Sequence, residues 1–167
     1  MACAKETIRY QLGMGAMLIE QFTKDLTDAE YFKAAVPGAN HAGWIVGHLA
    51  VSADSMVAQA TGGQRRFDDQ KHALFDGKSE CKADAKAYPP RKDIDEMFKN
   101  ASADTIEALT TFDESKWDNP SPESMPSEFF PTVGSVWGII ATHPFWHAGQ
   151  LTTNRVALGK PRVLGGA

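Results

Sequence analysis

Apolar residues recur at helical spacing in four stretches of the chain, separated by polar segments marked with proline and glycine. In the first stretch, residues 5–24, Ile8, Leu12, Gly15, Ile19 and Phe22 fall on one helix face. Pro37-Gly38 punctuates the polar segment that follows. Asn40 is placed to cap a second helix over residues 41–60, which Thr61-Gly62-Gly63 brings to an end. A third stripe runs from Ile94, Met97 and Phe98 through Ala101, Thr105, Ala108 and Leu109 to Phe112. It starts near Asp93, with Glu96 three residues later in the spacing of a capping box. The fourth helix begins after Thr132 and runs to about Leu158, where Gly159-Lys160-Pro161 stops it.

The connections are uneven. Residues 64–90 are mostly polar and end in Pro89-Pro90, so they read as a long connection with a short helix near residues 70–75. A loop of that length in a compact domain is usually functional or partly mobile. Residues 118–131 hold four prolines and cannot form a regular helix. Nowhere does the pattern alternate as strands do, and no internal repeat is visible. The predicted fold is all-α: one domain over residues 1–167, an antiparallel four-helix bundle whose two long loops leave room for less simple connectivity.

Composition narrows the function classes more than it changes the fold. With 43% hydrophobic and 23% charged residues, the chain has the makeup of a globular domain able to bury a core. A net charge of −4, with acids and bases interspersed, argues against a nucleic-acid partner, which calls for a concentrated basic patch. No stretch approaches the roughly 20 apolar residues of a membrane span. Lys5, Glu6 and Arg9 interrupt what would have to be a secretory signal. Cys3 and Cys81 form no C-x-x-C pair and no framework; a single bridge between them stays open, and a reducing, cytoplasmic setting is the expectation.

The chemistry lies in the histidines. His143 and His147 are four residues apart, one turn on one helix face, and such a pair can converge on one ion. The spacing alone is weak evidence. His48 strengthens it, because it sits in the apolar run Trp44-Ile45-Val46-Gly47-His48-Leu49, and the other two lie in an equally apolar helix. Three imidazoles facing one bundle core either each find a separate hydrogen-bond partner or share a metal. His41 lies seven residues before His48 and is read either as lining a pocket mouth or as an exposed first-turn residue. His72, in the polar connection, is expected to face solvent.

These residues carry a resemblance. Asn40-His41-Ala42-Gly43-Trp44-Ile45-Val46-Gly47-His48-Leu49 resembles the second-helix motif of DinB/YfiT-like proteins, and His143-Pro144-Phe145-Trp146-His147-Ala148-Gly149-Gln150-Leu151 resembles their last-helix H-x-x-x-H-x-G-Q motif. Asn154-Arg155 and Leu158-Gly159-Lys160-Pro161 are similar to the family's usual ending. The resemblance implies a four-helix bundle, often a homodimer, with a divalent metal, zinc or nickel, on His48, His143 and His147. Three protein ligands leave a position for substrate or water. Characterised relatives include bacillithiol S-transferases and mycothiol-dependent maleylpyruvate isomerases. The isomerases carry a glutamate where this chain has a last-helix histidine, so the resemblance points to a transferase-like or unassigned member.

The implied function is a metal-dependent enzyme that transfers a low-molecular-weight thiol to an electrophile. The alternatives are a metal-dependent hydrolase and a non-catalytic, stress-related metal-binding dimer. Trp44, one turn from His48, walls the site or packs the core. Gln150 bonds to His147 from outside the ligand set or to the helix surface. Gly149 is expected to admit a neighbouring helix, and Arg155 to pair with a carboxylate of the first helix or of a partner chain. Phe129-Phe130-Pro131 either caps the pocket or anchors its loop. Pro144 removes an N–H and crowds the Ile140 carbonyl, so a kink or restart is expected between the two last-helix histidines.

Overall fold

The four stripes become four long helices in the computed structural model, which describes residues 4–164. They are α1 (Ala4–Thr23), α3 (Ala42–Thr61), α5 (Arg91–Thr111) and α6 (Val133–Ala157), with short helices α2 (Asp28–Tyr31) and α4 (Asp69–Phe75) in the connections. The stripe of α1 is buried as its spacing requires: Ile8, Leu12, Gly15, Ile19 and Phe22 all face inward. Among the described residues there is no strand; Pro120 and Thr132 form an isolated bridge. Among the described residues no helix is long and apolar enough to cross a membrane.

Helix ends depart from the sequence reading in two places. His41, not Asn40, caps α3: its Nδ1 accepts the Trp44 N–H at 3.0 Å, while the Asn40 carbonyl accepts from Asn154 Nδ2 at 2.7 Å. α5 starts two residues before Asp93, directly after Pro90, so the Asp93–Glu96 capping box does not form. Instead the Pro90 carbonyl accepts from Asp93 N and Ile94 N. Gly62 ends α3 at φ 71°, a left-handed conformation in which only a residue without Cβ is unstrained.

In the bundle, α1 packs on α6 and α5, and α3 packs on α5 and α6, which leaves α1 and α3 on one diagonal. Contacts between helix ends give the directions. The C-terminal end of α1 meets the start of α5 through Arg91, which donates to the Thr23 and Leu26 carbonyls. It meets the end of α6 through Arg155, which donates to the Phe22 carbonyl. The start of α3 meets the end of α6 through Asn40 and Asn154. Hence α1 lies parallel to α6, and α3 parallel to α5: the bundle is not simply antiparallel but has the less simple connectivity that the two long loops left open. The connections are the cause. Those joining α1 to α3 and α5 to α6 stay at one end and cross the diagonal, whereas residues 62–90 carry the chain back along the length of α3.

That returning segment is packed, not loose. Phe75, fully buried at the end of α4, lies against α3 at Gly47, where a Cβ would come within 2.3 Å of its ring. Phe75 belongs to a core cluster with Ile45, Leu49, Tyr31, Ile94 and Leu151. A second cluster at the other end is built on Trp137, Leu109, Phe112, Val136 and Ile140.

α6 runs through Pro144 without interruption. The ring has room because α1 offers Gly15 opposite it: a Cβ there would stand 2.9 Å from the Pro144 Cβ. Gly149, expected to admit a neighbouring helix, faces open space instead. Close approach of the two helices occurs at Gly15.

Candidate metal centre

His48 lies in the second turn of α3, and His143 and His147 lie midway along α6, so the packing of these two antiparallel helices brings the three rings together. Ring centroids are 5.1 Å apart for His48–His143, 5.0 Å for His48–His147 and 4.6 Å for His143–His147. One ring nitrogen from each lies within 4.8 Å of those of the other two. The Nε2 atoms of His143 and His147 are 3.0 Å apart. The unbroken course of α6 preserves the one-turn spacing that Pro144 put in question.

Partners outside the triad orient two of the three rings. His48 Nδ1 donates to the Phe75 carbonyl at 2.8 Å. A carbonyl can only accept, so the proton is held on Nδ1 and the Nε2 lone pair is left for the centre. His147 Nδ1 donates to Gln150 Oε1 at 2.9 Å, with the same consequence. Histidine ligands of metals are held in this way, by a carbonyl or other acceptor on the nitrogen away from the ion. The Trp44 ring stacks on His48 at 4.8 Å with 8° between planes, and its Nε1 donates to Ser79 Oγ at 3.1 Å. Ser79 Oγ in turn donates to the Leu74 carbonyl, which ties the turn after α4 to α3.

Burial keeps the imidazoles neutral. Desolvation, followed by repulsion from His147 and His48, pushes the His143 pKa down to about 3. Desolvation also lowers His147, to about 4, against the opposing pull of Gln150. It lowers His48 as well, opposed by the Phe75 carbonyl and Asp76. A cluster of neutral nitrogens is the form a metal requires. Two bonds of ~2.05 Å at a tetrahedral angle set nitrogens roughly 3.3–3.4 Å apart, close to the 3.0 Å between the α6 histidines. The donor set fits a divalent ion: three histidines here can hold one.

The profile of the DinB superfamily matches residues 11–151, a span that contains all three histidines and Gln150. The chain belongs to the DinB superfamily. Among solved structures, that of a conserved protein from Enterococcus faecalis aligns with 96% of this chain and 100% of its own, with a TM-score of 0.67 and 15% identity, a likeness of fold. No curated protein matches the chain.

The DinB-superfamily motifs do not gather every residue the sequence singled out. Trp44 and Gln150 touch the triad. His41 does not: it is fully buried, caps α3, and donates from Nε2 to the Lys82 carbonyl at 3.2 Å, so it neither lines a mouth nor faces solvent. Arg155 is buried away from the triad, with Asp25 just beyond α1 as its carboxylate. Phe130 packs at the Trp137 end of the bundle and anchors its loop, while Phe129 is exposed. Trp137 is core, while Trp146 is exposed. His72, expected in solvent, is buried and paired with Asp54 at 3.0 Å. Cys81 is a free thiol, half-buried against the core, and Cys3 lies outside the described residues.

Sequence reading missed the Phe75 carbonyl and Ser79. A backbone acceptor leaves no mark in the residue types, although an apolar Phe75 one turn after His72 in an otherwise polar connection was a signal that this segment packs.

Proposed function

We propose that this DinB-superfamily chain is a divalent-metal-dependent enzyme, with zinc or nickel on His48, His143 and His147, that transfers a low-molecular-weight thiol to a small electrophile. The observation that carries the metal reading is the outer bonding of the triad. Phe75 O and Gln150 Oε1 each accept a hydrogen bond from an Nδ1–H, which leaves the Nε2 lone pairs of His48 and His147 for the centre. His48, His143 and His147 would hold the ion, and a divalent ion there would supply a lowered pKa to a small thiol or water bound to it. The chain's own residues hold the ligands neutral by burial, fix the tautomers of His48 and His147, and shield one side of the centre with the Trp44 ring. Thiol as the nucleophile, an epoxide or haloaromatic as the acceptor, and a homodimeric assembly rest on the family resemblance.

A non-catalytic metal-binding role is the second reading. It is favoured by the low exposure of His48 and His147, 8% each, which leaves half-buried His143 as the most accessible ligand. The test assays metal-loaded protein with several thiols and generic electrophiles beside His48→Ala, after metal analysis of both. Metal in the wild type alone, with product formed by the wild type alone, supports the enzyme. Equal rates reject metal-dependent catalysis. Bound metal without turnover with any thiol moves the reading to hydrolysis, assayed in turn with activated esters, or to the non-catalytic role.

A further inference from the structure

We propose that Asp54 and His72, which touch none of the three metal-site histidines, are positioning residues for that centre: together they latch residues 62–90 onto α3 so that the Phe75 carbonyl holds His48. The inference rests on the metal reading above and names a device that serves it.

Asp54 lies six residues beyond His48 on α3, about 9 Å along the axis. Its carboxylate gathers three donors from the returning segment: Arg66 N at 2.8 Å, Phe67 N at 3.1 Å and His72 Nε2 at 3.0 Å. The His72 and Asp54 side chains are only 9% and 7% exposed. Burying such a pair far from any reaction centre is costly unless a directional bond is needed there. The need is visible one turn later. His72 and Phe75 stand three residues apart on α4, and α4 has seven residues, so fixing His72 fixes the rotation and height of Phe75. The Phe75 ring against Gly47 is an apolar contact, which sets depth but not register, because the hydrophobic effect is non-directional. Asp54–His72 midway along α4 and Trp44–Ser79 in the turn beyond its end supply the directional contacts. Between them sits the carbonyl that fixes the His48 tautomer.

The test uses the full chain in three variants. His72→Ala removes the latch. His72→Gln retains an amide N–H at about the place of Nε2, able to donate to Asp54. Leu109→Val weakens the far core cluster, to which Leu109 belongs, and serves as a control for lost stability alone. Two quantities are measured: Zn2+ affinity by competition with a chromogenic chelator, and the His48 Nδ1–H signature by nitrogen NMR of metal-free protein. For His72→Ala we expect Zn2+ affinity to fall about 10–100-fold, the range for lost ligand-orienting partners, with the Nδ1–H signature weakened. His72→Gln should restore both, and Leu109→Val should change neither. The latch is overturned if His72→Ala binds Zn2+ like the wild type with its His48 signature intact, if His72→Gln is as impaired as His72→Ala, or if Leu109→Val is impaired equally. Should the wild type bind no Zn2+ at all, the metal reading fails, while the NMR signature still decides whether Asp54 and His72 position His48.

Discussion

Replacing Gly47 with alanine tests how tightly the returning segment is fitted to α3. In an open helix the change is favourable, since alanine exceeds glycine in helix propensity by about 0.8–1.0 kcal/mol. At Gly47 the added Cβ would stand 2.3 Å from Phe75 Cε1 and 2.4 Å from Cδ1, so the ring must withdraw by about 1 Å to reach ordinary contact at 3.4 Å. The ring is fully buried, and close packing of a protein interior resists such a shift. Overpacking of that kind costs about 1–3 kcal/mol. If the Phe75 carbonyl moves with the ring, its 2.8 Å bond to His48 passes out of hydrogen-bonding reach, which adds about 1–3 kcal/mol for a buried donor left unpaired. With the propensity gain set against these, Gly47→Ala is expected to destabilise by about 1–5 kcal/mol. Gly13→Ala on α1, where a Cβ meets nothing within 4 Å, is expected to stabilise by up to about 1 kcal/mol. Urea unfolding of the metal-free proteins reads both. The reasoning is refuted if Gly47→Ala is as stable as the wild type, or if the two substitutions shift stability in the same direction.

Three further outcomes are expected. Arg155→Ala should cost about 2–4 kcal/mol in urea unfolding, because the buried guanidinium serves the Phe22 and Pro161 carbonyls as well as Asp25, and the half-exposed Asp25 recovers some hydration when left alone. Metal-free protein should lose stability as pH falls from about 6.5 toward 4. Its buried histidines have lowered pKa values, so in this window the unfolded chain takes up protons that the folded one refuses. Stability that is flat over this range in the wild type, or as steep in a triple His→Gln variant of the site, would contradict it. Sedimentation at micromolar protein should give twice the chain mass; a monomer removes the homodimer from the proposal.

The sequence determined the parts that depend on local spacing. Apolar stripes place four helices because burial has to follow the 3.6-residue period, and Ile8, Leu12, Ile19 and Phe22 are buried as that period demands. The triad was legible for the same reason: His143 and His147 share a face, and His48 lies in a run too apolar to face water. Tertiary structure decided what depends on which surfaces meet. Pro144 reads as a kink or restart between the two histidines, yet α6 runs on through it, and what the sequence does not show is that its ring seats against Gly15 of α1. His72 reads as solvated until Asp54, eighteen residues earlier, is folded against it. Parallel pairing of α1 with α6 follows from where the long connections run, which residue types do not encode. The atom that orients His48 is a main-chain carbonyl, the same in every residue, and only the packing of Phe75 on Gly47 brings it to that histidine.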